Sequence, residues 1–502
     1  MAYWASTSPS YPPTKQAWTP STRRRQVLCI SLGVLALFLL LGVAHPTTRK
    51  MGQDYYAGGD ELNGVAPNPV ATHPPEEPLP LKLPGPPSYE ALRKWEDELP
   101  QHNLDLPFPE GRTGRYVKFS TQMNLVGWNN CLNERLMNAH LAYMSKRAYV
   151  FNDYVWAPEH YMWPLHQQPP DGPRTPLNAI LSGPMAGGPW DPSDPAPRSI
   201  SERWFDVVCP PEERRLIVSA DIKPPLAELP GAEVFAAWET LLRDAPERCL
   251  EIVSAPYEVD KMPQVFDLWI WGSSRVLSLW PSFSQSPTSR LLAASPIVRA
   301  AVERNAYLFN PRGPRLPAAP RDWAQRTLAI HVRRGDFIQH CRNLAGWGST
   351  FYSWAQLPQV LDRFTPLPGD DPKRVETMMG RCLPDNAQII KKLHDVREDY
   401  VNNSTGSGKD GRVLDVLYLL TNEQGPWLDE LKASMKGAGW STIVTSRDLL
   451  LDVEQEEVGM AVDMELARRA AVFIGNGWSS FTSNIIHQRL VDGREPLSIR
   501  LT

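Results

Sequence analysis

The residues best suited to chemistry form the run HVRRGDF at positions 331–337, directly after the apolar segment TLAI. Two arginines beside a glycine suit a pyrophosphate, because planar guanidinium groups bind phosphate oxygens in pairs and glycine lets the backbone approach closely. Successive strand residues face opposite sides, so Arg333 and Arg334 should differ in role. We expect one to face a cleft and the other to pair with Asp336 or a helix end. An arginine–aspartate pair that only fixes a turn explains the run equally well.

A second run, FIGNGWSSFT at 473–482, combines a strand end, a Gly/Asn turn and two serines that open a helix. The backbone amides of a helix N-terminus, with the hydroxyls of Ser479 and Ser480 beside them, form a phosphate site that needs no lysine. Plain N-capping of the helix is the alternative. Opposite an arginine-bearing loop on the same sheet, the phosphate site is the better interpretation.

A carboxylate, Asp463, lies in EVGMAVDMELARRA (457–470), which is expected to form a helix before the last of these strands. It could accept hydrogen bonds from the N1 and N2 donors of a guanine. Arg468 and Arg469 follow at i+5 and i+6, which is poor spacing for an ion pair. From the spacing alone, a solvated helix carboxylate is the better interpretation.

The elements that must position these residues alternate between short apolar runs and helix-type segments, which predicts parallel sheets covered on both faces. Strand-type runs occur at 115–121, 148–154, 215–220, 250–255, 327–333, 416–422, 442–446 and 470–476. Helix-type segments of the C-terminal half occur at 385–400, 425–437, 456–469 and 479–490. The turn GWNN (127–130) with its flanking strands is typical of a βαβ unit. We therefore predict an α/β fold of two facing Rossmann-like lobes, with ligands beyond the carboxyl ends of the strands.

The N-terminal end predicts a membrane anchor at 27–44, eighteen residues without a charge that follow three arginines at 23–25. A helix of that length spans about 27 Å, enough for a thin bilayer. The arginines should hold the tail, 1–26, in the cytoplasm. A cleaved signal peptide is the alternative, because Gly42-Val43-Ala44 offers a cleavage site. Both interpretations place the body of the protein in the secretory pathway.

The remaining chain divides by composition. Residues 45–112 contain 13 of the 50 prolines and should form an unstructured stem. About 390 residues remain, enough for two lobes at 113–305 and 306–502. The segment 158–200 is rich in Pro, Gly, Trp and His and is expected to be a long surface insertion. This layout is typical of a type II membrane enzyme of the Golgi or endoplasmic reticulum with a lumenal body, or of a stalked surface protein.

Charge and cysteine content further limit the functional classes to which the protein could belong. The 502 residues carry 52 Lys+Arg and 56 Asp+Glu, and this balance excludes the basic footprint of a nucleic-acid binder. Five cysteines outside the anchor would face an oxidising lumen with at least one unpaired, and their pairing is open: Cys131, Cys209, Cys249, Cys341 and Cys382. No C-x-x-C pair occurs, so a structural zinc site is not expected. Asn402 and Asn403 begin overlapping glycosylation sequons.

Three blocks together resemble the GDP-fucose protein O-fucosyltransferase family, whose wider clan includes the α1,6-fucosyltransferases. They are HVRRGDF after a strand, YLLTN, and VDMELARRAAVFIGNGWSSFTSNIIHQR, and the GWNN turn resembles the family's Gly-x-Asn-Gln/Asn turn. The resemblance covers most of 113–495 and is thin in 155–300. It implies a GT-B fold in which the C-terminal lobe holds most of the donor, GDP-fucose.

The positions that match the family's donor-binding residues are His331, Arg333, Asp463, Ser479, Ser480 and Phe481. The resemblance implies that Arg333 contacts the β-phosphate, that Asp463 contacts guanine, and that 479–481 bind the pyrophosphate. It places Asn129 near the fucose and the β-phosphate. Arg333 and Asn129 are therefore the candidate catalytic residues.

The sequence departs from the family at the general base. One branch has a glutamate beside the Gly/Asn turn, whereas here Leu125 and Val126 precede Gly127. Glu134 and Asp153 are substitutes only by location, so the base is unassigned. The reaction implied is an inverting transfer of fucose to Ser/Thr of a protein. A glycan acceptor and a catalytically silent binding protein are the alternatives. The chain has no Asp-x-Asp, and we expect neither a metal nor a cofactor besides the donor.

Overall fold

The computed structural model describes residues 85–170, 172–310, 323–335, 337–402 and 413–502. All of them belong to one compact unit. The predicted tail and anchor, most of the predicted stem, Asp336 and Asn403 lie outside the described residues. Within the described ranges, no helix is both long and apolar enough to cross a membrane.

The N-terminal half, residues 85–310, contains a five-stranded parallel sheet. The strands of this half, in chain order, are β1 Tyr116–Phe119, β2 Ala148–Phe151, β3 Leu181–Ser182, β4 Ile200–Ser201, β5 Arg214–Val218, β6 Cys249–Val253 and β7 Ala293–Ala294. Of these, β3 and β7 form a separate antiparallel pair. The order across the sheet is β4-β2-β1-β6-β5. Tyr116 of β1 stands opposite Ala148 on one side and Cys249 on the other.

The C-terminal half, residues 323–502, contains a second five-stranded parallel sheet. Its strands are β8 Thr327–Val332, β9 Val416–Thr421, β10 Thr442–Thr445, β11 Val472–Gly475 and β12 Ile499–Leu501. The order β10-β9-β8-β11-β12 is the 3-2-1-4-5 order of a doubly wound nucleotide-binding sheet. All six residues of β8 are buried, as expected for a central strand covered on both faces.

Helices cover both sheets and confirm the predicted alternation. Those of the N-terminal half are Glu90–Asp97, Trp128–Met144, Leu177–Ile180, Glu202–Val208, Ser219–Ile222, Gly231–Asp244, Leu268–Trp271, Trp280–Phe283, Pro287–Arg290 and Pro296–Asn305. Those of the C-terminal half are Trp323–Arg326, Phe337–Trp347, Arg374–Cys382, Asn386–Asn402, Pro426–Gly437, Val453–Glu457, Gly459–Arg469 and Ser480–Val491. The α/β class with parallel sheets is as predicted, and each of the eight strand-type runs contains a strand.

Two helices join the halves. Helix 128–144 buries 14 of its 17 residues, so it is an internal helix rather than an amphipathic surface helix. It packs against helix 480–491, which is also mostly buried. Arg135 and Arg489 lie inside these helices, and their guanidinium groups donate to backbone carbonyls, including those of Asn152 and Ala470. Buried charge is tolerated here because it is hydrogen-bonded.

The stem prediction is wrong for its last part. Residues 85–112 include helix 90–97, and Tyr89 and Leu99 are buried in the main core. Arg93 donates two hydrogen bonds, of 2.8 and 2.6 Å, to the Asp153 carboxylate after β2. A few apolar anchors and one ion pair thus fold a proline-containing segment onto the N-terminal half.

The predicted surface insertion is also only partly correct. Its first part is largely exposed, whereas helix 177–180 and the residues after it are buried, with Met185 in the core. The prediction that at least one of the five cysteines outside the anchor is unpaired is confirmed. Cys209 forms a disulfide with Cys249, Cys341 forms one with Cys382, and Cys131 is buried and has a free thiol.

Candidate functional site

The candidate site lies where the second sheet reverses its winding. From β8 the chain order proceeds outward through β9 on one side, and from β11 through β12 on the other. The crevice beyond the carboxyl ends of two such neighbouring strands is the binding position of doubly wound sheets. The loop after β8 carries the two arginines, and the turn after β11 carries Ser479 and Ser480, so the fold brings the two predicted runs together.

His331, near the end of β8, joins these runs directly. Its Nδ1 lies 3.2 Å from Thr482 Oγ1, and its ring lies 4.7 Å from the ring of Phe481. Burial and, to a smaller extent, the charge of the neighbouring Arg333 lower the pKa of His331 to about 3. The imidazole is therefore neutral at physiological pH and acts as a hydrogen-bonding group rather than a cation.

Arg334, the second of the two adjacent arginines after β8, is engaged within the C-terminal half. The Arg334 guanidinium stacks 4.3 Å from the Trp427 ring and donates to the Pro384 carbonyl at 3.1 Å. Its backbone N–H and C=O both bond to the Asn422 side chain. Arg334 thus anchors the loop, and Arg333 precedes it in a half-buried position. Gly335, at φ +63°, supplies the left-handed conformation that the loop needs.

The glycine turn after β11 has no room for side chains. A Cβ on Gly475 would lie 2.2 Å from Thr482 Cγ2, and one on Gly477 would lie 2.3 Å from the Phe351 ring. Asn476 fixes the turn from within: its amide donates to the Cys382 carbonyl at 2.7 Å, and its Oδ1 accepts from the Trp478 N–H at 3.1 Å. The start of helix 480–491 is therefore held in one orientation relative to the sheet.

Ser479 occupies the N-cap position of that helix, but its side chain makes no capping hydrogen bond within the described structure. Ser479, Ser480 and Phe481 are all partly exposed. The first N–H groups of a helix lack intrahelical partners. Two hydroxyls and the amide end of a helix are thus presented beside His331, an arrangement suited to an anionic group.

Asp463, on helix 459–469, lies beside β9 and the end of β10. Its carboxylate accepts hydrogen bonds from the Tyr418 hydroxyl and from Ser446 Oγ, the latter at 2.8 Å. Burial raises its pKa to about 6. The two arginines that follow are engaged elsewhere, Arg468 with Asp492 and Arg469 with Glu465. Asp463 is therefore held towards the sheet, and the alternative of a solvated helix carboxylate is wrong.

Asn129, in the first turn of helix 128–144, is brought to the second sheet by a direct contact. The Asn484 amide donates to the Asn129 carbonyl at 2.9 Å and to its Oδ1 at 3.1 Å. Asn129 follows β1, and Asn484 lies in the first turns after β11. The carboxyl edges of the two sheets therefore meet at this contact, which places Asn129 near the helix start at Ser480.

The structure gives other partners to both carboxylates considered as a base. Glu134 is fully buried, and its Oε2 accepts the Met123 N–H at 2.6 Å. Burial raises its pKa to about 8. Asp153 is ion-paired with Arg93. Both carboxylates are therefore already engaged by protein groups, and neither is available as a proton acceptor at the junction of the two sheets.

Several residues of the site were not found from the sequence. Asn422 had a signal, because it ends the strand-type run YLLTN and so had to lie at the carboxyl edge. Tyr418 and Ser446, the partners of Asp463, lie within or just after predicted strands, but no sequence pattern indicated that their side chains point towards Asp463. Tyr352 and Asn484 had no local signal. Within the described ranges, no group of three or more His, Cys, Asp or Glu side chains could hold a metal ion.

Comparisons with known proteins give only distant matches. No family model matches the chain, and no curated protein does. A crystal structure of POFUT1 in complex with GDP-fucose is 14% identical with a TM-score of 0.45, over 77% of this chain and 97% of that one. NodZ α-1,6-fucosyltransferase soaked with GDP-fucose is 11% identical with a TM-score of 0.36, over 75% and 92%. A mutant of Arabidopsis thaliana FUT1 in complex with GDP is 12% identical with a TM-score of 0.32, over 80% and 74%. Likeness at this level assigns no function, and the fold is defined by the strand order itself.

Proposed function

We propose that this chain is a GDP-fucose-dependent fucosyltransferase with a GT-B-like fold, in which 306–502 binds the donor and 113–305 faces the acceptor. The observation that carries the proposal is the junction at the end of β8 and β11. There His331 touches Thr482 and Phe481, and the Arg333 loop faces the uncapped start of helix 480–491. Of these residues, His331, Arg333 and Phe481 are positions that the sequence resemblance assigns to the donor.

The chemistry follows from the charges that develop during transfer. An acceptor hydroxyl oxygen attacks the anomeric carbon of fucose while the bond from that carbon to the β-phosphate oxygen breaks, and GDP leaves with the electron pair. Arg333 and the amides of helix 480–491 stabilise the negative charge that grows on the pyrophosphate. Asn129, held by Asn484, lies beside the sugar. The acceptor hydroxyl loses its proton to a base that is unassigned.

The activity test uses the full chain in detergent, incubated with GDP-fucose with and without EDTA. Release of GDP and fucose that survives EDTA is the expected result, and calorimetry should show GDP binding. Absence of GDP binding would remove the donor assignment. Labelling of peptide and glycan arrays by the same enzyme then separates Ser/Thr of a protein, the acceptor that we propose, from a glycan acceptor.

A second function, nucleotide-sugar binding without transfer, is favoured by one observation. Glu134 is buried against a backbone amide and Asp153 is paired with Arg93, so neither candidate base is available. The two functions predict different results in the same experiment. Tight GDP binding with no turnover on any acceptor would identify a binding protein, whereas turnover would exclude one.

We also propose that the protein is a single-pass type II membrane protein of the Golgi or endoplasmic reticulum with its catalytic part in the lumen. The two disulfides support this, because such bonds persist in oxidising compartments. Protease protection of epitope-tagged chains in sealed microsomes tests the topology. Digestion of the C-terminal tag without detergent would refute it.

A further inference from the structure

Residues 351–357 of the C-terminal half are bound to the glycine turn. The Tyr352 N–H donates to the Gly477 carbonyl at 2.8 Å, and the Phe351 ring packs edge-on against Trp478 with ring centres 4.7 Å apart. The Trp354 N–H donates to Ser483 Oγ at 3.1 Å. This segment therefore moves together with the start of helix 480–491.

The Tyr352 side chain crosses from this segment to the N-terminal half. Its hydroxyl donates to Asn130 Oδ1 at 3.2 Å and accepts from Asn133 Nδ2 at 3.3 Å. Both asparagines lie in the first two turns of helix 128–144, beside Asn129. Burial raises the pKa of Tyr352 well above its usual range, so the hydroxyl stays protonated and can donate and accept at once.

The segment has other attachments that do not depend on this hydroxyl. Trp354 packs against Trp271, Trp280 and Phe283 of the N-terminal half, and Gln356 Nε2 donates to the Ser273 carbonyl at 3.2 Å. Loss of the Tyr352 hydroxyl alone should therefore leave the chain folded. What changes is the support of one helix turn.

We propose that Tyr352 is a positioning residue that sets Asn129 against the glycine turn, an inference that rests on the proposed function. Two sets of hydrogen bonds hold Asn129 in place. Asn484 bonds to Asn129 itself, and Tyr352 bonds to the neighbouring Asn130 and Asn133. Without the hydroxyl, Asn130 and Asn133 lose their shared partner, and the first turn of the helix keeps the hydrogen bonds from Asn484 and the packing of Trp128. GDP contacts assigned to Arg333 and 479–481 do not depend on that turn, whereas the placement of Asn129 beside fucose does.

The test is Tyr352→Phe in the full chain, with Tyr307→Phe as the matched control, since Tyr307 is 41% exposed and belongs to the turn Ala306–Phe309, which supplies none of the contacts described above. In Tyr352→Phe we expect kcat for GDP-fucose to fall roughly tenfold, the loss of one or two neutral hydrogen bonds, with the Kd of GDP unchanged within twofold. An unchanged kcat would overturn the proposal. An equal loss of GDP affinity would also overturn it, since Tyr352 would then support the glycine turn instead.

A readout without turnover separates this proposal from the proposed function. In hydrogen–deuterium exchange, amides of 128–133 should exchange faster in Tyr352→Phe than in the unmodified chain, while those of 475–482 should not change. If the unmodified protein fails to use GDP-fucose but shows this pattern, the fucosyltransferase assignment fails and the positioning contact stands. Asn133→Ala, which removes one of the two hydrogen bonds, should give a smaller change in the same amides. No change in either variant would refute the positioning role.

Discussion

Arg333 and Arg334 are neighbours of one residue type in one loop, and their substitution to alanine should have opposite consequences. Arg334 is bound to Trp427 and to the Pro384 carbonyl, so it anchors the loop. Arg333 is the arginine that we assign to the β-phosphate. Arg333→Ala should therefore lower turnover more than stability, whereas Arg334→Ala should lower stability more than turnover.

The magnitudes follow from these contacts. Removal of one donor that stabilises developing negative charge costs about 100- to 1,000-fold in rate, and we expect that loss in kcat for Arg333→Ala. Loss of the stacking on Trp427 and of one charged hydrogen bond should cost about 2 kcal/mol in Arg334→Ala. For a folded unit of this size, that free energy corresponds to a fall in Tm of about 2 °C.

The assay pairs GDP release with thermal unfolding for both variants and for Arg342→Ala, an exposed arginine on the next helix, as the control. Each variant is measured with and without GDP, since bound nucleotide should raise the Tm of the control but raise that of Arg333→Ala less. An equal fall in Tm for Arg333→Ala and Arg334→Ala would refute the separate roles of the two arginines, because both would then be structural groups of the loop. Full activity of Arg333→Ala would refute them as well.

Three other predictions address separate parts of the structure. GDP affinity should fall about tenfold per pH unit below about 6, because protonated Asp463 loses its charge and can no longer accept from both the N1 and N2 donors of guanine. Asp463→Asn should bind GDP weakly without that pH dependence, and titration calorimetry at pH 5 and 7 measures both. Burial lowers the pKa of His331 and of His487 to about 3, below the unfolded value of about 6.5. The unfolded chain therefore binds protons at these histidines before the folded chain does, and the stability of the fold decreases as the pH falls below about 6.5. The free energy of unfolding, measured with urea, should fall by up to about 1.4 kcal/mol per pH unit for each of these histidines between about pH 6.5 and 4. In His487→Gln this free energy should fall less steeply with pH. Finally, a chain that begins at 113 should be less stable by about 5 kcal/mol than one that begins at 78, since it loses the burial of Tyr89 and Leu99 and the Arg93 ion pair; a matching Tm for the two would contradict this.

The sequence was sufficient for the regular elements because apolar periodicity is a local property. The eight strand-type runs each contain a strand, since continuous apolar runs fit the centre of a parallel sheet. The missed strands, such as β4 and β12, have two or three residues, too few to show a period. Residues 85–112 were mistaken for stem because their proline content is local, whereas the burial of Tyr89 depends on residues far away in the chain.

The candidate site divides in the same way. The strand ends placed His331 and Ser479 at one edge of the sheet, since parallel strands all end there. The direction of Asp463 could not be predicted, because its partners are Tyr418 of β9 and Ser446, the residue after β10, and both are distant from the helix in the chain. Glu134 was a candidate base only by its location in the sequence, whereas helix 128–144 is internal, and nothing in its own residues shows that a second helix covers it.

The junction of the sheets also explains why Arg333 should carry so much of the activity. The side chains that connect the halves there are neutral: Asn129, Asn130, Asn133, Tyr352 and Asn484. His331 is neutral as well, because burial lowers its pKa to about 3. The donor that we propose would bring two negative phosphates to this place, and in a partly buried site each charge interacts more strongly than in water. Among the sequence-matched donor positions, Arg333 is the one cation. Its removal would leave the leaving group with helix amides alone, so Arg333→Lys should recover part of the rate that Arg333→Ala loses, while a neutral Arg333→Gln should not.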